Sequence, residues 1–450
     1  MSSRDALLAN AERPSAEALR LHPYYRGKIQ TAAKCAIRDL NDFSIWYTPG
    51  VAAPCRAIAR DPGLVYEYTN KANTVAIVTD GSRVLGLGDI GPEAGLPVME
   101  GKALLFKYLG GVDAVPLCLR AETPEDIIRT VRLIQPSYGG VNLEDISQPE
   151  CFKVLDTLRA DPSVEIPVFH DDQQGTATVL LAGLLNALQI VGRDLQDVRV
   201  ALIGLGAANV ATLRLLLASG MDMGQVVATD SRGILHRERE DLRAAQADYP
   251  DKWRVAQESN PDGRRGGIAE ALRDAHVAIA FATPGPGVIR PEWVRDMASD
   301  SIVFACSNPV PEIWPWEAVE AGARIVGTGR SDFPNQLNNS LGFPAIFRGA
   351  LDVRARTITD EMCLAAAAEI ARYGEELGLR EDHIVPTMDD LEVYPREAVA
   401  VGMKAQEQGL ARVALSREEA YRVATDKIQE ARGMIDTLMR EGVIAPVPEE

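Results

Sequence analysis

Apolar positions recur along this chain in two rhythms. Short runs at 74–79 (Thr-Val-Ala-Ile-Val-Thr), 112–117, 139–143 and 165–169 are rich in β-branched or apolar residues and predict buried strands. Between them, 103–109, 151–159 and the run Thr-Ala-Thr-Val-Leu-Leu-Ala-Gly-Leu-Leu from residue 176 predict helices. The alternation repeats at 198–203, 225–230, 275–282 and 301–305, with an apolar helix expected at 210–218. Strands interleaved with helices in this way predict an α/β fold with parallel sheets. Helical patterns follow at 343–354 and 359–372, and residues 376–450 alternate charged helices with Pro-containing turns. Residues 1 to about 40 are polar and mixed, which predicts a helical arm packed on a neighbour or on the second domain. The expected division is 1–173, 174–375 and a helical C-terminal extension, 376–450.

Two of the predicted strands run directly into acids. Glu144 and Asp145 follow 139–143, and Asp171 and Asp172 follow 165–169 and His170. Ser147 and Glu150 have the spacing of a capping box opening the next helix. In an open α/β sheet the carboxyl ends of strands are where ligands bind. Acids gathered there repel one another unless a cation joins them. His170 is the nitrogen donor beside them and the set is otherwise hard oxygen, which favours Mg²⁺ or Mn²⁺ over zinc. Helix capping is the competing role for Asp145 and Asp172 taken singly; two such clusters in succession favour the cation.

Further candidates lie in loops. Tyr47 sits in Tyr-Thr-Pro-Gly-Val (47–51), where Thr48 is expected to cap a helix with Pro49 in its first position. Strand 74–79 leads into Asp-Gly-Ser-Arg-Val-Leu-Gly-Leu-Gly-Asp-Ile-Gly (80–91). Residues 86–91 match Gly-x-Gly-x-x-Gly, but Pro92, Gly95 and Pro97 follow where a dinucleotide turn requires a long apolar helix. A glycine-rich wall against a small substrate fits better, with Arg83 placed to grip a carboxylate or else to form a surface ion pair. Lys102, in Glu-Gly-Lys (100–102), is a general base if a nearby dication lowers its pKa; Lys71 competes for that role.

The second domain carries a stronger glycine motif. Val-Arg-Val-Ala-Leu-Ile (198–203) precedes Gly204, Gly206, Ala207, Ala208 and Asn209, and an apolar helix follows. Strand, tight turn and helix N-terminus together form a pyrophosphate cradle of the Rossmann type, in a doubly wound parallel sheet. Asn209 stands at the third glycine position. Asp230 ends the second strand at the distance suited to a ribose 2′-hydroxyl, which favours NAD; Arg232 offers an NADP alternative. The turns 283–287 and 307–309 are expected over the same crevice, with Asn308 offering an amide to nicotinamide or substrate. The amide-rich loop 331–339, with Asn338 and Asn339, is too polar for a simple linker.

Composition changes this picture little. At 450 residues, with 46% hydrophobic and 25% charged residues, the chain has room for two or three soluble domains. A net charge of −17 argues against nucleic acid or an anionic membrane as partner, though not against an anionic substrate. The cysteines at 35, 55, 118, 151, 306 and 363 lack Cys-x-x-Cys spacing and are expected to be reduced and mostly buried. No secretory leader and no bilayer-spanning run is expected, which places the protein in the cytoplasm.

These segments, from about residue 24 to about 375, resemble the malic enzymes, the decarboxylating malate dehydrogenases, in their short bacterial form. The resemblance rests on 47–51, 79–91, 100–102, Asn-Leu-Glu-Asp-Ile (142–146), His-Asp-Asp-Gln-Gln-Gly-Thr-Ala (170–177) and Ser-Asp-Phe-Pro-Asn-Gln-Leu-Asn-Asn (331–339). It implies NAD(P)-dependent conversion of L-malate to pyruvate and CO₂. Tyr47 is then general acid and Lys102 a lysine made neutral to serve as general base, with Asp171 orienting it. Glu144, Asp145 and Asp172 are implied metal ligands. Arg83 is implied to bind malate, and Asn308 with Asn338 or Asn339 to complete the substrate and nicotinamide contacts. A homodimer or homotetramer is implied. The family often has His at the position of Gln174, which is not a ligand, and Gly or Ala at that of Asn209, which bears on cofactor affinity. A malolactic enzyme, releasing lactate and retaining its cofactor, shares nearly all these residues. A non-catalytic regulator on the same scaffold would lack Tyr47, Lys102 or an acid. Some bacterial relatives append an acyltransferase-like domain; its absence here implies a single activity.

Overall fold

The computed structural model describes residues 3–330 and 332–449, with side chains from Arg13 onwards; Met1, Ser2, Glu450 and Ser331, the first residue of the amide-rich loop, lie outside the described residues. Two sheets organise the described chain. The first joins β1 (Thr74–Thr79), β2 (Asp113–Cys118), β3 (Gly140–Leu143) and β4 (Val168–His170) in the order β2-β1-β3-β4, all parallel. Helices Gly91–Gly110, Pro124–Ile134 and Glu150–Ala160 make the crossovers. β1 is central and covered on both faces, so it reads as a continuous apolar run.

The second sheet contains β5 (Val200–Ile203), β6 (Val226–Asp230), β7 (Gly233–Ile234), β8 (Val277–Ala280), β9 (Ile302–Ala305) and β10 (Ile325–Thr328), in the order β10-β9-β8-β5-β6-β7. All pairs are parallel except the short β6–β7 edge. Chain order reverses on either side of β5, which pairs with both β6 and β8, so a ligand crevice opens beyond the ends of β5 and β8. This is the Rossmann-type domain expected from the sequence. β7 and β10 were not legible: β7 is two residues long, and β10 offers only Ile325 and Val326 as apolar residues before Gly327.

Several local expectations change. A 20-residue helix does follow residues 86–91, beginning at Gly91 with Pro92 in its first turn, where a missing N–H costs no hydrogen bond. Lys102 therefore lies inside that helix and is buried, not at a solvated start. Ser147 forms no capping box: its hydroxyl donates to Glu150 Oε2 at 3.1 Å, and Pro149 occupies the cap of helix Glu150–Ala160. Helix Ala52–Arg60 is capped at Val51 rather than at Thr48. The N-terminal helix Ser3–Tyr25 lies against the chain's own C-terminal tail, where Arg20, Tyr24 and Tyr25 donate to the carbonyls of Pro448, Pro446 and Ala445. The segment Asp171–Val191 is long and apolar enough to cross a bilayer, contrary to expectation, yet 72% of its apolar window is buried inside the protein. Among the cysteines, Cys151, Cys306 and Cys363 are buried, whereas Cys35 and Cys55 are exposed.

The C-terminal helices do not stand apart. Phe343–Asp352 and Arg417–Arg440 pack on the Gly91–Gly110 helix, and the rings of Phe343 and Phe347 lie 4.6 and 5.3 Å from that of Phe106. A fully buried Arg348 forks onto Asp352 at 3.0 and 2.8 Å and reaches Asn73 Oδ1 at 2.6 Å. Lys427 closes the same group on Asp352 at 2.7 Å. The last quarter of the chain thus returns to brace the first domain.

Candidate active site

β3 and β4 are neighbours, so the residues after Leu143 and after His170 emerge side by side. After β4 the backbone makes one widened π-type turn, Asp171–Gly175, before helix Thr176–Val191. Such turns occur frequently at functional sites. Glu144, Asp145 and Asp172 each present a carboxylate oxygen, all within 4.8 Å of one another. Asp145 adopts a left-handed backbone, φ 51°, and its N–H donates to Asp172 Oδ2 at 2.8 Å. One oxygen of Asp145 accepts from Leu85 N–H at 3.3 Å, while Oδ2 is buried without a partner. Asp145 lies outside any helix; Asp172 lies in the first turn of the widened segment but makes no cap bond there, its Oδ2 accepting from Asp145 N–H instead, so capping does not account for either acid. Three converging hard oxygen donors and an orphaned buried carboxylate oxygen fit a divalent cation.

Lys102 lies against this cluster. Its Nζ pairs with Glu144 Oε1 at 2.6 Å and with Asp171 Oδ2, and stands 4.4 Å over the Phe343 ring. Asp171 also accepts from Asn339 Nδ2 at 2.5 Å, and Glu144 Oε2 accepts from Asn142 Nδ2 at 2.9 Å. Burial lifts the Asp145 carboxyl to about 8, reinforced by repulsion from Asp172. Burial also lifts Glu144 well above the carboxylate range and Asp171 to about 6, in both cases against the pull of Lys102. For Lys102, burial works to lower the pKa, but Asp171, Glu144 and Asp172 outweigh it and hold the ammonium above its ordinary value. The expected neutral lysine is therefore absent while the acids carry their own charge. His170 is buried and lowered to about 4 by burial; its Nδ1 lies 3.7 Å from Asp172 Oδ2, and neither ring nitrogen has a hydrogen-bond partner among the described residues. Gln174 accepts from His170 N–H and points away from ligation.

The structure separates other candidates. Lys71 donates to the carbonyls of Gln135, Pro136 and Tyr138, so it terminates the turn after helix Pro124–Ile134 and is no rival to Lys102. Arg83 is exposed, and its guanidinium has no ion-pair partner among the described residues, which leaves it free for a carboxylate. Its backbone N–H donates to Asp145 O at 3.1 Å, which ties the glycine-rich loop to the acid loop. Asn339, not Asn338, faces the acids: Asn338 accepts from Ser340 N–H and donates to Gly329 O. Tyr47 is 72% exposed, and its hydroxyl makes no hydrogen bond among the described residues. The structure does not bring it to Lys102.

At the second sheet, Gly204 has φ 82°, and a Cβ there would stand 2.5 Å from Phe281 O; only glycine fits. A Cβ on Gly206 would meet Gln148 Nε2 at 3.7 Å and nothing closer, so the turn before helix Ala207–Ala218 is open to a pyrophosphate. Ala207 and Ala208 form the first turn of that helix. Asn209 is buried and donates to Ile203 O, Gly204 O and Ile279 O at 3.2, 3.0 and 3.3 Å. It ties β5 to β8 and faces away from the crevice, so the departure at this position leaves the cradle open. Asp230 is gripped by Arg239 at 3.2 and 3.0 Å, and Arg239 also holds Asp241. Arg239 was not legible beforehand, because it lies in a charged stretch without period. Glu312 was missed for a different reason: it is a lone acid in a stretch of prolines and apolar residues, with no motif around it. Buried, it accepts from Ala282 N–H at 2.8 Å, Ser307 Oγ at 2.6 Å and Ser307 N–H at 3.2 Å, fixing the loops beside Asn308.

A dinucleotide cradle on one mostly parallel sheet, together with a buried lysine and carboxylates on another, defines a two-domain nicotinamide-dependent oxidoreductase. Residues 173–406 match the family model "Malic enzyme, NAD binding domain" and residues 26–127 match "Malic enzyme, N-terminal domain". The chain is 47% identical over 403 residues to the bifunctional malic/malolactic enzyme of Bacillus subtilis, covering 90% of this chain and 96% of that one. It is 49% identical over 386 residues to the NAD-dependent malic enzyme of Geobacillus stearothermophilus, covering 86% and 78%. The crystal structure of Entamoeba histolytica malic enzyme superposes with a TM-score of 0.96 at 46% identity, covering 100% of this chain and 93% of that one. The chain belongs to the malic enzyme family.

The raised acids set a pH dependence. Between the ordinary aspartate pKa and about 8, Asp145 holds its proton in the folded state and has lost it in the unfolded one, so metal-free stability falls as pH rises through that window. Thermal melts in chelator should show Tm falling from pH 5 to pH 8, and Mn²⁺ should raise Tm more at pH 8 than at pH 5. A Mn²⁺ effect independent of pH would remove Asp145 from the ligand set.

Proposed function

We propose that the chain oxidatively decarboxylates L-malate to pyruvate and CO₂ with reduction of NAD, and that Glu144, Asp145 and Asp172 hold the required Mg²⁺ or Mn²⁺. The observation that carries this is Lys102, buried between Glu144 and Asp171 beside three converging carboxylates. The acid cluster falls in 1–173 and the dinucleotide cradle in 174–375, the division we retain, with 376–450 as extension. When bound, the cation supplies Lewis acidity to the C2 oxygen and the nicotinamide accepts hydride from C2. Arg83 grips a malate carboxylate through its free guanidinium. Lys102 takes the C2 hydroxyl proton at Nζ, once the carboxylates that hold its ammonium are committed elsewhere. Asp171 and Asn339 keep that nitrogen in place. As the C3–C4 bond breaks and CO₂ leaves, Tyr47 gives a proton to C3, and Lys102 returns its own to Tyr47. Asn308 contributes its amide beside the nicotinamide.

General acid–base groups contribute about 10² to 10⁴ in rate. Lys102→Ala and Tyr47→Phe are therefore expected to lower turnover by at least about 10², with the Tyr47→Phe defect persisting in oxaloacetate decarboxylation, downstream of hydride transfer. Near-native turnover of either variant would falsify its role.

We infer a homo-oligomer. Leu19, Leu40, Ile45 and Trp46 expose apolar side chains on the segments flanking the exposed Tyr47, which suits a second copy of the chain. Light scattering should give a dimer or tetramer, and mixing Tyr47→Phe with Lys102→Ala subunits should restore part of the activity if one copy supplies the tyrosine to the other. A monomer with full activity would exclude this.

Asp230 supports NAD over NADP. Initial rates with malate and Mn²⁺ should be higher with NAD, and NADH should accumulate in step with pyruvate. Faster reaction with NADP would shift the assignment to the Arg232 and Arg239 side of the pocket. Lactate without free NADH would establish the malolactic reaction, a second reading favoured by the similarity to the bifunctional Bacillus subtilis enzyme.

A further inference from the structure

The glycines of residues 86–91 do two different things. Gly88 and Gly91 have φ of 80° and 78°, and a Cβ on either would meet nothing within 4 Å; the backbone conformation requires them. Gly86 is not in the left-handed region, yet a Cβ there would stand 2.2 Å from the carbonyl oxygen of Asn308 and 2.6 Å from Pro284 Cγ. Contact, not conformation, requires glycine at 86. The atoms it meets belong to the other sheet, in the turns after β8 and β9.

Both sides of this contact are stiff. On the first domain, Arg83 and Leu85 donate to the carbonyl and carboxylate of Asp145 at 3.1 and 3.3 Å, and Ser147 N–H donates to Ser82 Oγ at 2.8 Å. A displacement at Gly86 therefore reaches the acid cluster. On the second, Glu312 joins Ala282 to Ser307, and Gly285 and Gly287 donate to Val310 O and Glu312 O at 3.2 Å each. The geometry points to Gly86 as the seat at which the glycine-rich loop of the first sheet meets the turns of the second, a positioning residue that sets the separation between the substrate carbon on one side and the nicotinamide on the other. This rests on the proposed malate oxidation.

A methyl at 86 has to move at least about 1 Å to reach ordinary contact with Asn308 O, and a displacement of that order costs up to about 10² in rate where reacting atoms must be held in line. In Gly86→Ala, malate oxidation should fall by about 10- to 10²-fold, and the deuterium isotope effect from C2-deuterated malate should increase, because hydride transfer becomes the slow step. Oxaloacetate decarboxylation with Mn²⁺, which needs no hydride transfer, should change far less, and NADH affinity measured by fluorescence should be retained. In the cofactor-free protein, amide hydrogen exchange should quicken in peptides spanning 80–91 and 283–310. Pro284→Ala introduces no clash and should loosen the same peptides, which keeps the test open if Gly86→Ala folds poorly. Native exchange in both peptides of both variants, an unchanged isotope effect in Gly86→Ala, or a parallel loss of oxaloacetate decarboxylation would overturn the assignment. Wild-type protein inactive on both malate and oxaloacetate would sink the proposed function instead, and the exchange data would still decide whether Gly86 is the seat.

Discussion

Four carboxylates gathered at the ends of two adjacent strands, three of them buried and Asp172 partly so, repel one another, and much of the surrounding architecture answers that repulsion. Lys102 sits inside a helix, where a charged side chain is normally solvated, because Glu144 and Asp171 neutralise it. Asn142 and Asn339 supply further donors to the same acids. Asp145 keeps one oxygen with no donor at all. A buried cluster arranged in this way is expensive to hold without a cation and favourable with one, so the chemistry and the stability of the first domain are set by the same charges.

The cluster is held in place by chain that lies far away in sequence. Phe343 covers Lys102 from a helix that begins 241 residues later, and Asn339 comes from the loop just before it. Arg348 and Asp352 anchor that helix to Asn73 and Lys427 through buried charge. The cofactor side is built on the same plan, with one buried carboxylate, Glu312, tying together two turns that would otherwise be independent. Both halves of the site thus consist of loops pinned by buried polar groups, and the glycine-rich loop meets the cofactor-side turns where Gly86 abuts Asn308.

Much of this was readable from local pattern. Apolar runs located β1, β3, β5, β6 and β9 to within a few residues, because strands buried on both faces leave an unmistakable composition. The acids after β3 and β4 and the glycine turn after β5 were legible because each is a short motif at a strand's end. The helix following Gly91 was misjudged because its first-turn proline looks like a breaker when its position is unknown. Lys71 and Lys102 were equivalent by spacing; three carbonyls around one and two carboxylates around the other distinguish them.

What sequence alone determined is therefore the local chemistry: which residues end strands, which turns need glycine, and which acids fall close together. What tertiary structure decided is which groups share a low-dielectric space. It made Lys102 an ammonium among acids, turned Asn209 inward, paired Asp230 with Arg239, and left Tyr47 in solvent. Charge states and partners depend on distances between segments hundreds of residues apart, and no pattern within one segment encodes them.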